Sequence, residues 1–139
     1  MMPSLQAKQL TPEMLHRLDV ILEDFYPKSR ETGEKLAQIR MEKSQVRGLE
    51  NMVVSTSRFS EILNFIKNQA GKERKDNKWR KAAEQMLTQL GQLEEAAANL
   101  VPDDPGRRLE VKMRLARGWI RQLVPAYLFY GKVMTEDSQ

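Results

Sequence analysis

Apolar residues recur at three- and four-residue steps along nearly the whole of this 139-residue chain, and strand-like alternation is almost absent. That spacing lines one face of an α-helix, so helix must bury against helix. Thr11-Pro12 reads as a helix start: a hydroxyl cap, then a residue whose missing N–H costs nothing in the first turn. Leu15, Leu18, Leu22 and Phe25 follow on one face, and Pro27 is expected to end that helix. A second helix is expected over 32–47, with Leu36 and Ile39 inward and Gly33 and Gly48 as interruptions, followed by a helical turn at Asn51 to Val54. Ser55-Thr56-Ser57 offers capping side chains for a third helix, whose stripe Phe59, Ile62, Leu63 and Ile66 runs to Ala70 before Gly71. Asp76 or Asn77 is expected to cap a long helix reaching residue 99, with Trp79, Ala83, Met86, Leu90 and Leu93 inward. Pro102 to Gly106 reads as a turn with Asp104 as cap. In the last helix Leu109, Met113, Ala116, Ile120, Leu123 and Tyr127 share a face, and Pro125 is expected to kink or restart it. The expectation is an all-α, single-domain bundle of about five helices over 1–139, with 1–10 and 135–139 flexible.

Composition removes most enzyme chemistry. Cysteine is absent and His16 is the single histidine, so thiolate metal sites, disulfides and His-pair motifs are excluded. Ser55, Thr56, Ser57 and Ser60 have no Gly-x-Ser-x-Gly elbow to activate them, and the seven glycines form no phosphate loop. Asp103-Asp104 before Pro105 reads as a turn and cap rather than a cation site, and Glu94-Glu95 as solvent-facing. A non-enzyme with no metal, cofactor or small-molecule substrate is expected. No apolar run is long enough to span a membrane, and no secretory signal is read at the N-terminus. With cysteine absent, the expected location is cytoplasmic.

Charge is arranged in blocks. Residues 1–66 hold 9 basic and 9 acidic side chains; 67–81 hold 7 basic against 2 acidic; 82–106 hold 5 acids and no Lys or Arg; 107–139 hold 7 basic and 3 acidic. Segregated charge sets up local fields that attract polyanions or acidic neighbours, although solvated basic faces are also common. Arg107, Arg114, Arg117 and Arg121 fall on one face of the last helix, where Glu110 is the one acid nearby. Lacking local partners, they are expected to meet an external anion, and arginine suits bidentate contact with phosphate. Lys72, Arg74, Lys75, Lys78, Arg80 and Lys81 form a second expected site, with Arg58 a further candidate. Trp79 and Trp119 lie near these two segments and read either as aromatic platforms or as ordinary core. Replacing Arg114, Arg117 and Arg121 by Ala is expected to weaken binding to all sequences alike. The acidic block suggests docking to charged neighbours or to copies of itself.

Thr56-Ser57-Arg58-Phe59, followed by Ile62-Leu63 and Lys67, resembles the helix start of the small subunit of type III CRISPR effector complexes. Leu109 to Gly118 is similar to a second segment of that family, and Ala126-Tyr127 with Tyr130 and Lys132 to its closing helix. Leu49 to Lys67 also resembles the small subunit of the RNA-targeting type III variant, and type I small subunits share the helical-bundle design. The resemblance implies a non-catalytic subunit in antiviral defence. Copies of it, with other effector subunits, would line a guide-RNA filament and hold target RNA or single-stranded DNA by its backbone, leaving sequence recognition to guide pairing. The competing expectation is a helical protein–protein adaptor without nucleic-acid contact.

Overall fold

Five α-helices, and no strand, make up residues 9–137, which the computed structural model describes. They are α1 (Pro12–Gln38), α2 (Lys43–Ser55), α3 (Phe59–Gly71), α4 (Trp79–Leu100) and α5 (Pro105–Asp137). The all-α bundle expected from periodicity is what the chain forms. The flexibility expected of 1–8 and 138–139 lies outside the described residues. At the described ends, α1 is preceded by Leu10 packed on the core, and α5 continues through Asp137.

Thr11 caps α1 as expected, its Oγ1 accepting from the Met14 N–H at 3.1 Å. Pro27 does not end that helix. A proline in mid-helix forfeits one backbone bond, but the stripe Leu18, Phe25, Ser29, Thr32, Gly33 and Leu36 is buried on both sides of it, and that burial holds the helix together. The Gln122 side chain adds a donor to the Leu22 carbonyl, at 2.9 Å, in the turn preceding the proline. The real boundary is Arg40, left-handed at φ 60°. There the Arg40 N–H bonds the Ala37 carbonyl and the Met41 N–H the Leu36 carbonyl, a Schellman arrangement. The second helix expected over 32–47 therefore begins at Lys43 and takes in Asn51 to Val54. Pro125 likewise lies inside α5 rather than restarting it.

Two helices approach closely enough to define the bundle. Leu22 lies against Gly118, Gly33 against Leu123 and Tyr127, and Gln38 against Tyr130, so α1 and α5 run parallel. α4 runs antiparallel to α1, since Lys28 bonds Gln92 while Thr32 bonds Gln89 and Gln85. α2 and α3 cover another side of α5. The core is continuous, with Leu49, Val53, Ile62, Ile66, Met86, Leu90, Leu115, Trp119, Ile120 and Leu123 fully buried. One polar ladder crosses it. Gln89 Oε1 accepts from the Thr32 hydroxyl at 2.8 Å and the Trp119 indole N–H at 2.9 Å, while its amide donates to the Lys28 carbonyl at 2.9 Å. Such a satisfied network fixes the register of α1, α4 and α5. Among the described residues no helix is long and apolar enough to cross a membrane.

Candidate functional site

The arginine face of α5 is largely occupied by its own chain, which corrects the expectation of unpartnered guanidinium groups. Arg114 bonds Glu110 one turn back at 2.9 Å, and Arg107 lies 3.7 Å from Asp104, the residue whose carboxylate caps α5. Arg108 donates to the Val101 and Pro102 carbonyls, and Lys112 reaches Glu94 at 3.1 Å. Glu94 is thus an ion-pair partner as well as a solvated acid. Arg117 turns toward the α2–α3 connection, where Nη2 donates to the Thr56 carbonyl at 3.4 Å while Nε is buried without an acceptor. Arg114 and Arg121 are both exposed, and Arg121 is the one of the four that meets no acceptor among the described residues.

Arg58 is also engaged. It clasps Glu61 through Nε at 2.8 Å and through Nη2. The Thr56 hydroxyl donates to the other Glu61 oxygen at 2.5 Å and accepts from the Arg58 backbone N–H. The Thr56 hydrogen bond, then the Arg58 hydrogen bonds and charge, hold the Glu61 carboxyl below its ordinary range. Of the capping run Ser55-Thr56-Ser57, Thr56 does the work, by a turn across the α2–α3 corner.

The basic loop is organised by one buried amide. Asn77 Nδ2 donates to the carbonyls of Gln69, Ala70 and Lys72, while its Oδ1 accepts from the Trp79 N–H at 3.0 Å. It thereby closes the C-terminus of α3 and opens α4, with Asp76 left-handed beside it at φ 55°. Arg80 adds Nε to the Ala70 carbonyl at 2.8 Å and Nη2 to that of Lys72 at 3.1 Å. Lys78 donates to the Arg40 carbonyl, Arg74 to Gln69, and Lys81 lies 3.6 Å from Asp76. These four cations position the loop. Lys67, Lys72 and Lys75 are exposed and meet no acceptor among the described residues. Lys67, on α3, was not among the candidates from the sequence, although it opens the basic block.

The two expected sites are far apart at one end of the arginine set and closer at the other. The loop sits at the α1–α2 corner, where the Tyr127 hydroxyl donates to the Met41 carbonyl. Twenty residues of α5 separate Arg107 from Tyr127, about 30 Å of helix, while Arg121 is six residues from it, about 9 Å. Burial, and next the Glu42 charge, push the Tyr127 hydroxyl above its ordinary pKa, so it stays a donor. Neither tryptophan is an open platform: Trp119 is 0% exposed and Trp79 2%. His16, Ser57 and Ser60 are exposed, and among the described residues no three acidic or histidine side chains are grouped to hold a metal ion. Comparison with protein families, with curated proteins and with solved structures finds no match.

Proposed function

We propose that the chain is a non-catalytic small subunit of a CRISPR RNA-guided interference complex, holding target or displaced single strand by its phosphates without reading sequence. The carrying observation is the set Lys67, Lys72 and Lys75, exposed cations without acceptors at one end of a bundle that satisfies most of its other basic groups internally. Lysine is a point charge on a flexible stem, suited to phosphates of any local geometry and poorly suited to base-edge recognition. Arg121 is a secondary contact, and Arg107, Arg114, Arg117 and Arg58 act mainly within the fold. The resemblance of the segments around Thr56, Leu109 and Ala126 supports the assembly. The acids Glu84, Glu95 and Asp103, which meet no cation within 4.0 Å among the described residues, support docking to neighbouring subunits.

The test is binding of a labelled single strand over a range of salt, by the full chain and by the complex isolated from its native host. Replacing Lys67, Lys72 and Lys75 by Glu should weaken binding more than tenfold for every sequence. Neutralising the three contacts should lower the log–log salt slope by about 2, at roughly 0.7 per phosphate. Replacing Arg114, Arg117 and Arg121 by Ala should cost less. Co-purification of acidic protein subunits without RNA, and no strand bound by chain or complex, would establish the adaptor instead.

A further inference from the structure

We infer that Phe65 is a stacking platform for one unpaired base of the bound strand, in a cavity at the C-terminal end of α3; this rests on the nucleic-acid reading above. Single-strand sites combine cations for the backbone with an aromatic surface for bases, and the tryptophans are closed off inside the core. Phe65 is half-buried and lines an open cavity of about 450 Å³ together with Lys67, Asn68, Gln69, Gly71 and Lys72. That volume falls in the range of small-ligand sites, roughly 300–1,000 Å³.

The ring is fixed before any ligand arrives. Trp79 packs against it in a T-shaped arrangement, with centroids 5.8 Å apart and planes at 81°, which holds the ring in place beside the cavity. At the ring tip, Gly48 of α2 supplies no side chain: a Cβ there would meet Phe65 Cζ alone, at 3.9 Å. Two of the three lysines of the basic block that meet no side-chain acceptor among the described residues, Lys67 and Lys72, stand in the same cavity wall. The Asn68 amide carries both donor and acceptor, so it tolerates any base.

A helix C-terminus ordinarily repels phosphate because its last carbonyls carry partial negative charge. Here Asn77 and Arg80 occupy the Gln69, Ala70 and Lys72 carbonyls, and the Arg80 guanidinium adds positive charge at that end. The α3 terminus is thereby made compatible with an anion, and a base beside that phosphate lies within reach of Phe65.

The experiment compares an oligothymidine with an abasic strand of equal length, on the full chain and on its complex. Phe65→Leu keeps an apolar side chain and should weaken the oligothymidine roughly 5- to 100-fold, while changing abasic binding less than twofold. Phe65→Tyr should retain wild-type affinity. Lys67→Glu with Lys72→Glu should weaken both strands. Equal affinity of wild type and Phe65→Leu for oligothymidine, with the lysine variant weakened, overturns the stacking platform and leaves the backbone contact standing. No binding of either strand overturns both. A measurement independent of variant folding is ultraviolet cross-linking of a halogenated-uridine strand to the wild-type protein. An adduct on Phe65 is expected, and adducts confined to other segments overturn the inference.

Discussion

Gly33 of α1 lies directly against the backbone carbonyl of Leu123 on α5: a Cβ at Gly33 would fall 2.3 Å from that oxygen and 2.9 Å from the Tyr127 nitrogen. Backbone atoms cannot swing aside as a side-chain tip can, so Gly33→Ala must push the two helices apart along their shared seam. The expected cost is about 3 kcal/mol, at the upper end for overpacking. Gly91, exposed in mid-α4 with nothing within 4 Å of its Cβ position, is the control. Gly91→Ala should stabilise by roughly 0.5–1 kcal/mol, because glycine pays extra chain entropy in a helix. Urea unfolding of both variants checks the pair, and an unchanged midpoint for Gly33→Ala would contradict the close approach.

Gln89 has no substitute in the core. Its amide serves Thr32, Trp119 and the Lys28 carbonyl at once, so Gln89→Leu leaves the Trp119 indole N–H without an acceptor and Thr32 without its proton acceptor. With two stranded groups at about 1–3 kcal/mol each, the loss should be roughly 2–6 kcal/mol. The Trp119 indole proton resonance reports the break directly. A variant as stable as wild type, with that resonance unmoved, would show that the ladder is not formed.

The helices were legible because a periodic stripe needs no partner to be recognised, and their tertiary limits were not. Pro27 reads locally as a stop. Its single lost bond is outweighed by burial of Phe25, Thr32 and Leu36 against helices far away in sequence. Arg40 carries the actual stop in a conformation that sequence usually marks with glycine. The arginine stripe is engaged partly by local acids, Glu110 for Arg114 and Asp104 for Arg107, and partly by the Thr56 carbonyl, which only the packing of the α2–α3 corner brings to Arg117. The basic block 67–81 was visible in composition. Which of its cations remain unengaged depends on Asn77 folding the loop back on α3. Nothing in the local sequence distinguishes Phe65 from a core residue; its part exposure, where both tryptophans are buried, is a property of the packed molecule.

Arg40 pays for its left-handed backbone. An L side chain in that conformation costs on the order of 1 kcal/mol, and glycine does not bear it. Arg40→Gly keeps the carbonyl that Lys78 uses and the Schellman bonds. It should therefore raise stability by about 1 kcal/mol, read as a rise of a few degrees in melting temperature. A fall would mean that the Arg40 side chain itself holds the α1–α2 corner.

Glu61 gives the fold an acid-sensitive corner. Its carboxyl lies below the ordinary 4.5 because the Thr56 hydroxyl, and then Arg58, bond the ionised form. A group with a lowered folded pKa contributes its stability in full above the unfolded value, and loses it as pH falls through the folded one. Glu61→Gln removes the ionisable group. Its deficit relative to wild type should therefore be greatest near neutrality and shrink as pH drops below about 4.5 toward the folded value. Both oxygens are bound at the α2–α3 turn, so the same titration should loosen the start of α3 before the α1–α5 seam, which carries no such clasp. Unfolding midpoints of both proteins between pH 7 and about 2, with backbone amide shifts of Arg58 and Phe59, check this. A wild-type-to-variant difference that stays constant across that range would mean the Thr56–Glu61–Arg58 clasp does not form in solution.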